Sequence, residues 1–256
     1  MADLWPRVVS GLAMAVIGFI CAWFGGLWFD LLLTLVVTLI TWELGLICGA
    51  REPRFLAAVS GICCLGVMLL PEGSGLPFLL APAFLGLSRV EGRKVIFAIV
   101  AVFVVLAGYG LSHIRGDLGL TWVIWLILVV IATDVFGYFA GRLIGGPRFW
   151  PRVSPKKTWS GTVAGWIASA IVGAIFWIAA ETGFQIIGFS IALSMASQLG
   201  DLAESSLKRQ AGIKDSSGLL PGHGGLFDRF DGVLGAMALF LMVEQVAGFD
   251  LMVHGG

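Results

Sequence analysis

Long apolar runs recur along the whole of this 256-residue chain and leave short segments between them. A membrane-spanning helix needs about 20 largely apolar residues, within a range of about 17 to 25. Clusters of glycine, proline or charge separate most of the runs. Eight runs are long enough, namely 8–24, 28–48, 55–71, 94–112, 120–141, 162–181, 185–204 and 232–249. They predict an all-α polytopic membrane protein.

The composition also excludes a soluble fold. Hydrophobic residues make up 58% of the chain and charged residues only 12%, against about 25% charged residues in soluble domains. One soluble core of this size could not bury so much apolar surface, so a lipid bilayer is expected as a partner and a nucleic acid is not. The four cysteines form no spaced Cys/His set and are interpreted as small buried hydrophobes; they are Cys21, Cys48, Cys63 and Cys64.

The distribution of basic residues predicts the topology. The short segment 76–88 carries Pro77 and Pro82 and could span, re-enter or pack inside. If it spans, every Lys and Arg except Arg115 falls on one side, which the positive-inside rule makes cytoplasmic. We therefore expect about nine transmembrane helices, a cytoplasmic amino terminus and two cytoplasmic active-site loops, 142–161 and 205–231. A single integral membrane domain, 1–256, would comprise amino-terminal helices in 1–119 and catalytic helices and loops in 120–250.

Ionisable residues in the predicted helices concentrate around these two loops. Such residues are costly in lipid and are usually functional. Asp134 precedes the first loop, whereas Asp201 and Glu204 precede the second and Asp228 and Asp231 close it. If helix 185–204 continues, Asp201, Glu204, Ser205 and Lys208 share one face. The alternative for Glu204 and Lys208 is an ordinary intrahelical ion pair. No role is assigned to Asp134, nor to Glu43 and Glu244, which stand apart.

The segment KDSSGLLPGHGGLFDRFDG, residues 214–232, is too rich in glycine to be helical throughout. Glycines around His223 let the backbone approach a ligand, and the amides of such a turn can hold an anion. Asp228 and Asp231 follow at i and i+3, and paired carboxylates beside phosphates are the usual arrangement for Mg²⁺. His223 is a candidate for a phosphate or base contact and is not expected to bind the metal.

The segment SPKKTWSG, residues 154–161, precedes helix 162–181. Serine, threonine and lysine before a helix amino terminus make a phosphate site. Alternatively, Lys156 and Lys157 only anchor that helix at the membrane surface. Taken alone the segment favours the anchor, whereas beside the other two segments it favours phosphate binding.

Together these segments resemble the phosphatidate cytidylyltransferase family. Residues 205–231 fill every position of its pattern S-x-L-K-R, K-D, H-G-G and D-R-x-D. The segments DVFGYFAGR at 134–142, SPKKTWSG and GDLAES also resemble family segments, with Val135, Phe136 and Ser160 as departures. The specific resemblance covers about residues 130–235.

The resemblance implies that CTP and phosphatidate react to give CDP-diacylglycerol and pyrophosphate at the cytoplasmic face of the inner membrane. It implies that Asp201, Asp228 and Asp231 bind Mg²⁺, and a second cation is compatible with this site. It also implies that these three residues and Lys208 are catalytic. A homodimer is also implied only by the resemblance. The expected substrate-binding residues are Ser154, Lys156, Lys157, Thr158, Ser205, Arg209, Lys214, Asp215, His223 and Arg229.

Three other functions share some of these sequence features. A CDP-alcohol phosphotransferase needs A-R two residues after D-x-x-D-G, and here Gly235 and Ala236 stand there. A CTP-dependent lipid kinase would transfer the γ-phosphoryl group and differs only in the signature. A transporter with buried acids fits poorly with two glycine-rich basic loops on one face.

Overall fold

The structure, a computed structural model, describes residues 4–70, 75–220 and 222–247, with side chains described from Val8 to Val246. Within these ranges the chain is mostly helical. The helices are α1 (Leu4–Phe24), α2 (Gly26–Cys48), α3 (Pro53–Leu69), α4 (Leu76–Arg89), α5 (Lys94–His113), α6 (Leu120–Leu143), α7 (Trp159–Ala179), α8 (Gln185–Gln210) and α9 (Phe227–Ala247). A π-helical turn, Ile114–Leu118, follows α5, and the strands β1 (Arg148–Trp150) and β2 (Ser154–Thr158) lie between α6 and α7.

The helices coincide with the apolar runs, and the differences lie at their ends. Helix α8 continues to Gln210, so the expected shared face of Asp201, Glu204, Ser205 and Lys208 exists. Helix α9 begins at Phe227, before its apolar run, and places Asp228 and Asp231 in its first turns. The loop 142–161 is not irregular throughout, because β1 and β2 pair antiparallel there, with Arg148 opposite Thr158 and Trp150 opposite Ser154.

Five of the described helices are long and apolar enough to cross a membrane. These are α2, α6, α7, α8 and the combined helix Lys94–Leu118. Val8–Phe24, Pro53–Leu69 and Leu76–Arg89 are apolar but shorter. The 14 residues of α4 make a helix about 21 Å long, less than the hydrocarbon core of about 30 Å. The structure therefore supports a multi-pass helical membrane protein, and the count of nine spans stays a prediction.

The chain forms two compact units. Over its described residues, the first comprises Met1–Leu120 and Gln210–Phe230, and the second Thr121–Arg209 and Asp231–Gly256. The loop between α8 and α9, which the sequence assigned to the catalytic half, thus groups with the amino-terminal helices. The prediction of one integral membrane domain stays a prediction.

Helix α2 lies at the centre of the first unit. It packs against α1, α3 and α5, and α4 packs against α3 and α5. The α2 residues Leu33, Val37, Ile40 and Leu44 are all buried. The cysteines Cys48, Cys63 and Cys64 are buried as well and Cys21 is half-buried, all four as free thiols, in agreement with their interpretation as small hydrophobic side chains.

In the second unit, glycines bring the backbones of α8 and α9 together. A Cβ added to Gly200 of α8 would overlap the carbonyl oxygen of Asp231 and lie 3.0 Å from the amide nitrogen of Gly235. A Cβ on Gly235 would in turn overlap the carbonyl oxygen of Ala196. Small residues at helix crossings permit this approach in membranes. The contact places Asp201, next to Gly200, beside the segment of α9 that carries Asp231.

Replacing Gly200 by alanine should therefore separate α8 from α9. The new methyl group meets backbone atoms, which cannot rotate away, and overpacking of this kind costs about 1 to 3 kcal/mol. We expect the thermal unfolding midpoint of Gly200→Ala in detergent to fall by several degrees. Gly188→Ala is the matched control, because Gly188 lies in the same helix and has no atom within 4 Å of an added Cβ. Equal midpoints for the two variants would contradict the packing argument.

Candidate active site

In the second unit, a side chain of the hairpin strand β2 pairs with one of α8. Side chains alternate between the faces of a strand, so neighbouring Lys156 and Lys157 point in opposite directions. Lys156 is exposed, whereas Lys157 is half-buried and forms an ion pair with Oδ2 of Asp201. Oδ1 of Asp201 accepts a hydrogen bond of 3.2 Å from Ser205 Oγ. The structure thus links two of the sequence segments through Lys157 and Asp201.

Thr158, expected at a phosphate site, is the N-cap of α7. Its Oγ1 accepts a hydrogen bond of 3.2 Å from the Gly161 N–H. Ser160 Oγ donates to the Gly145 carbonyl, 2.5 Å away, and so ties the start of α7 to the turn after α6. These contacts give Thr158 a structural role in the observed conformation and leave its substrate contact a prediction.

Glu204 and Lys208 form the intrahelical ion pair that the alternative interpretation of the sequence predicted. Lys208 Nζ lies 2.6 Å from Oε2 of Glu204, and both side chains are buried. Lys208 also interacts electrostatically with Asp231. An ion pair in such surroundings holds the lysine charge near the acidic residues of α8 and α9.

Acidic residues from two other helices lie near Asp231 of α9. Asp231 is half-buried, and the charges of Asp201 on α8 and Asp134 on α6 both oppose its own charge. Its Oδ1 accepts a hydrogen bond of 2.7 Å from the Gly232 N–H. We refer to Asp134, Asp201 and Asp231 as the acidic cluster. Asp134, to which the sequence assigned no role, belongs to it.

The acidic cluster fits a divalent cation that arrives with phosphates. Nearby carboxylates repel each other unless a positive charge lies between them. Across the described residues, no three His, Cys, Asp or Glu side chains are placed to hold a metal ion by themselves. Mg²⁺ does not require such a set, because it usually takes one or two carboxylates together with substrate phosphates and water.

In the first unit, the loop 211–226 is folded tightly around left-handed glycines. Gly222 has a φ of 76° and Gly224 a φ of 82°, conformations that other residues rarely adopt. The Leu220 N–H donates to the Gly224 carbonyl and the His223 N–H to the Leu220 carbonyl, both at 2.9 Å. The glycines that the sequence associated with anion binding thus form a defined turn around His223.

Side chains brace this turn from two directions. His223 Nδ1 lies 2.7 Å from Ser10 Oγ of α1. Arg229 donates two hydrogen bonds to the His223 carbonyl, from Nε at 3.1 Å and from one terminal nitrogen at 2.8 Å. Both residues were expected to bind substrate, and in the observed conformation both hold the loop.

Asp228 anchors the same loop through one carboxylate oxygen. Its Oδ2 accepts hydrogen bonds from the Ser216 N–H at 2.9 Å, from Ser216 Oγ at 3.0 Å and from the Gly225 N–H at 2.8 Å. Lys214 and Asp215, on the approach to this turn, are exposed. The role of Asp228 as a metal ligand stays a prediction, because the observed contacts are those of a loop anchor.

Comparison with known proteins identifies the family. The model of the cytidylyltransferase family matches residues 5–247. The chain belongs to the cytidylyltransferase family. It is 35% identical to a protein of Brucella abortus biovar 1 (strain 9-941) named phosphatidate cytidylyltransferase, across 96% of this chain and 95% of that protein. Proteins of the same name from Staphylococcus saprophyticus and Bacillus subtilis are 35% and 29% identical, across 73% and 93% of this chain and 79% and 96% of their own lengths.

The match confirms the resemblance read from residues 130–235 and extends it through the amino-terminal helices of this cytidylyltransferase. That extension includes one polar residue whose role the sequence did not reveal. Glu43 of α2 is fully buried and accepts hydrogen bonds from four donors of the loop and of α9. The sequence did contain a signal for Glu43, because an ionisable residue within an apolar helix is a functional candidate by default.

The neighbouring lysines of β2 should differ in their effect on cytidylyl transfer. Loss of a charge-assisted contact costs about 1.5 to 3 kcal/mol, or roughly ten- to over a hundred-fold. We expect Lys157→Gln, which breaks the Asp201 pair, to lower kcat/KM at least tenfold, as an order-of-magnitude estimate from that contact energy. Exposed Lys156→Gln is the matched control and should stay within about threefold, less than such a contact is worth.

The comparison is made at varied CTP and at varied phosphatidate, so that a rise in one apparent KM assigns the contact to one substrate. If both variants retain near-normal activity, the segment only anchors α7 and the phosphate interpretation is wrong.

Proposed function

We propose that this chain transfers the cytidylyl group of CTP to phosphatidate and so makes CDP-diacylglycerol and pyrophosphate in phospholipid biosynthesis. The observation that carries the proposal is the Lys157–Asp201 pair, which brings a phosphate-type hairpin to the acidic cluster. Relatives that share nearly the whole chain carry the name of this activity.

The reaction asks little covalent chemistry of the protein. An oxygen of the phosphatidate phosphate attacks the α-phosphorus of CTP and forms the new P–O bond. The bond between the α-phosphorus and the bridging oxygen breaks, and its electron pair leaves with pyrophosphate. Because the lipid phosphate is itself the nucleophile, positioning of the two phosphates and neutralisation of their charge supply the catalysis.

Mg²⁺ is the cofactor we propose, with Asp201 and Asp231 as the ligands that the acidic cluster supports. Asp228 is added on the family signature, which includes both aspartates of α9. A divalent cation at phosphates neutralises the charge that develops during transfer. A second cation is compatible with the same set of carboxylates.

The basic residues of the signature would neutralise the triphosphate and the lipid phosphate. Lys208 is the catalytic cation in this proposal, because it interacts with Asp231. Lys157 would exchange its contact with Asp201 for a substrate phosphate when the cation binds. The remaining substrate contacts are proposed on the signature for Ser154, Thr158, Ser205, Arg209, Lys214, Asp215, His223 and Arg229. The exposed Lys156, whose Gln variant is the control above, is left out of this set.

We further propose a multi-pass protein of the inner membrane with nine spans and a cytoplasmic active site. The basic loops support that orientation by the positive-inside rule. The two substrates also require it, since CTP comes from water and phosphatidate from the lipid leaflet. A homodimer is proposed on the resemblance alone.

Isotopic labelling tests the proposed reaction against its alternatives. We expect purified protein in phosphatidate-containing vesicles to move label from [α-³²P]CTP into lipid and label from [γ-³²P]CTP into pyrophosphate, with both processes dependent on Mg²⁺. Label from the γ-position in the lipid product would instead identify a CTP-dependent lipid kinase.

Consumption of added CDP-diacylglycerol with an alcohol, with no use of CTP, would identify a CDP-alcohol phosphotransferase. Either outcome would contradict the proposed function.

A further inference from the structure

Glu43 makes an unusually complete set of contacts for a carboxylate within an apolar helix. Oε1 accepts hydrogen bonds from the Leu226 N–H at 3.0 Å and from Ser217 Oγ. Oε2 accepts from the Phe227 N–H at 2.6 Å and from Ser216 Oγ at 3.2 Å. The side chain has no exposed surface, so these donors replace the water that a charged group would otherwise require.

Two of these donors belong to the amino terminus of α9. The first N–H groups of a helix have no partner within the helix, and a negative charge there is favoured by the helix dipole. Phe227 is the first residue of α9 and Leu226 precedes it. Glu43 of α2 therefore caps a helix that begins more than 180 residues later in the chain.

One of the other two donors, Ser216, connects Glu43 to Asp228 of the signature. Ser216 Oγ lies 3.2 Å from Glu43 Oε2 and 3.0 Å from Asp228 Oδ2, so its single hydroxyl proton is shared between the two carboxylates. The carboxylates of Glu43 and Asp228 thus hold the same loop serine from two sides. Any displacement of Glu43 would be transmitted to Ser216 and through it to Asp228.

Gly225 shows how closely the loop is held against α2. A Cβ at this position would lie 2.8 Å from Cδ of Glu43 and would overlap Ser216 Oγ. The loop backbone passes so near the carboxylate that only glycine fits between them. This close approach gives a steric reason for the second glycine of H-G-G, separate from any contact with substrate.

We propose that Glu43 is a positioning residue that fixes the loop 211–226 and the first turn of α9 in the conformation that receives substrate. It acts through Ser216, Ser217 and the two backbone amides, without touching substrate itself. The inference rests on the proposed function only for its kinetic consequences, since the loop contacts exist independently of the reaction.

Glutamine cannot replace this carboxylate. Its amide nitrogen would face one of the two backbone N–H groups, donor against donor, and neither N–H can turn away. Aspartate keeps both oxygens and the charge, but its side chain is one C–C bond shorter, so the carboxylate lies about 1.5 Å closer to the α2 backbone. We therefore expect a graded series, in which Glu43→Asp retains part of the loop stability that Glu43→Gln loses.

Amide hydrogen exchange of the full-length protein in detergent, without substrate, tests the proposal. In Glu43→Gln, exchange in peptides covering 211–230 should rise about tenfold or more, as removal of a charge-assisted hydrogen bond implies, with little change elsewhere. The apparent KM for CTP should rise by a similar factor, with partial rescue in Glu43→Asp. Asp30→Asn is the control, because Asp30 lies about 20 Å earlier on α2 and accepts from Ser112.

The proposal is overturned if exchange in 211–230 stays within twofold of the parent, or if exchange rises equally throughout the protein. Should Glu43→Gln fail to fold, Ser217→Ala decides the matter, since it removes one donor and leaves the carboxylate in place. An unchanged loop in that variant also overturns the proposal. A parent protein that makes no CDP-diacylglycerol would refute the proposed function, whereas the exchange result would still decide the role of Glu43.

Discussion

The backbone contact between α8 and α9 is the constraint on which the acidic cluster depends. Gly200 and Gly235 leave no space for a Cβ between the two helices, so Asp201 and Asp231 approach each other although their charges repel. In lipid the helices gain little from apolar burial and associate through close packing. That packing provides the free energy that keeps two like charges together.

The ionisable groups of the two units fall into two classes by their partners. Glu43 and Asp228 each accept several hydrogen bonds from the loop 211–226, and Lys208 pairs with Glu204. These groups are satisfied by the protein and stabilise its conformation. At Asp231 the neighbouring carboxylates of Asp201 and Asp134 oppose the charge. Lys208 and the Gly232 N–H favour the charge of Asp231, but the repulsion between the carboxylates is what a bound cation would neutralise, so Asp231 is the strongest candidate for a ligand.

The sequence predicted the helices well because twenty apolar residues in succession have few alternatives in a membrane. It also predicted the shared face of α8, since i, i+3 and i+4 positions follow from helix geometry alone. The sequence did not predict the hairpin of β1 and β2, because strands this short show no clear alternation of polar and apolar residues. The hairpin gives Lys156 and Lys157 different surroundings, and this difference could therefore not be predicted from the sequence.

The contacts of the loop 211–226 were beyond sequence reasoning for a different reason. Spacing indicated that Asp228 and His223 belong to a phosphate-type site, but it could not show that Asp228 holds Ser216 or that His223 meets Ser10. The partner of the loop on α2 is Glu43, which precedes Ser216 by 173 residues. Contacts over such separations depend on how the helices pack, which a single sequence does not state.

We propose that the acidic cluster binds the cation together with the nucleotide, and Asp231→Asn tests this proposal most directly. Affinity for CTP with Mn²⁺ in place of Mg²⁺ is measured by calorimetry in detergent, alongside the thermal unfolding midpoint without divalent ions. We predict affinity at least tenfold weaker, as loss of a charge-assisted contact implies, and an equal or higher midpoint because one repulsive charge is gone. Unchanged affinity with a lower midpoint would show that Asp231 serves the fold and would contradict this account.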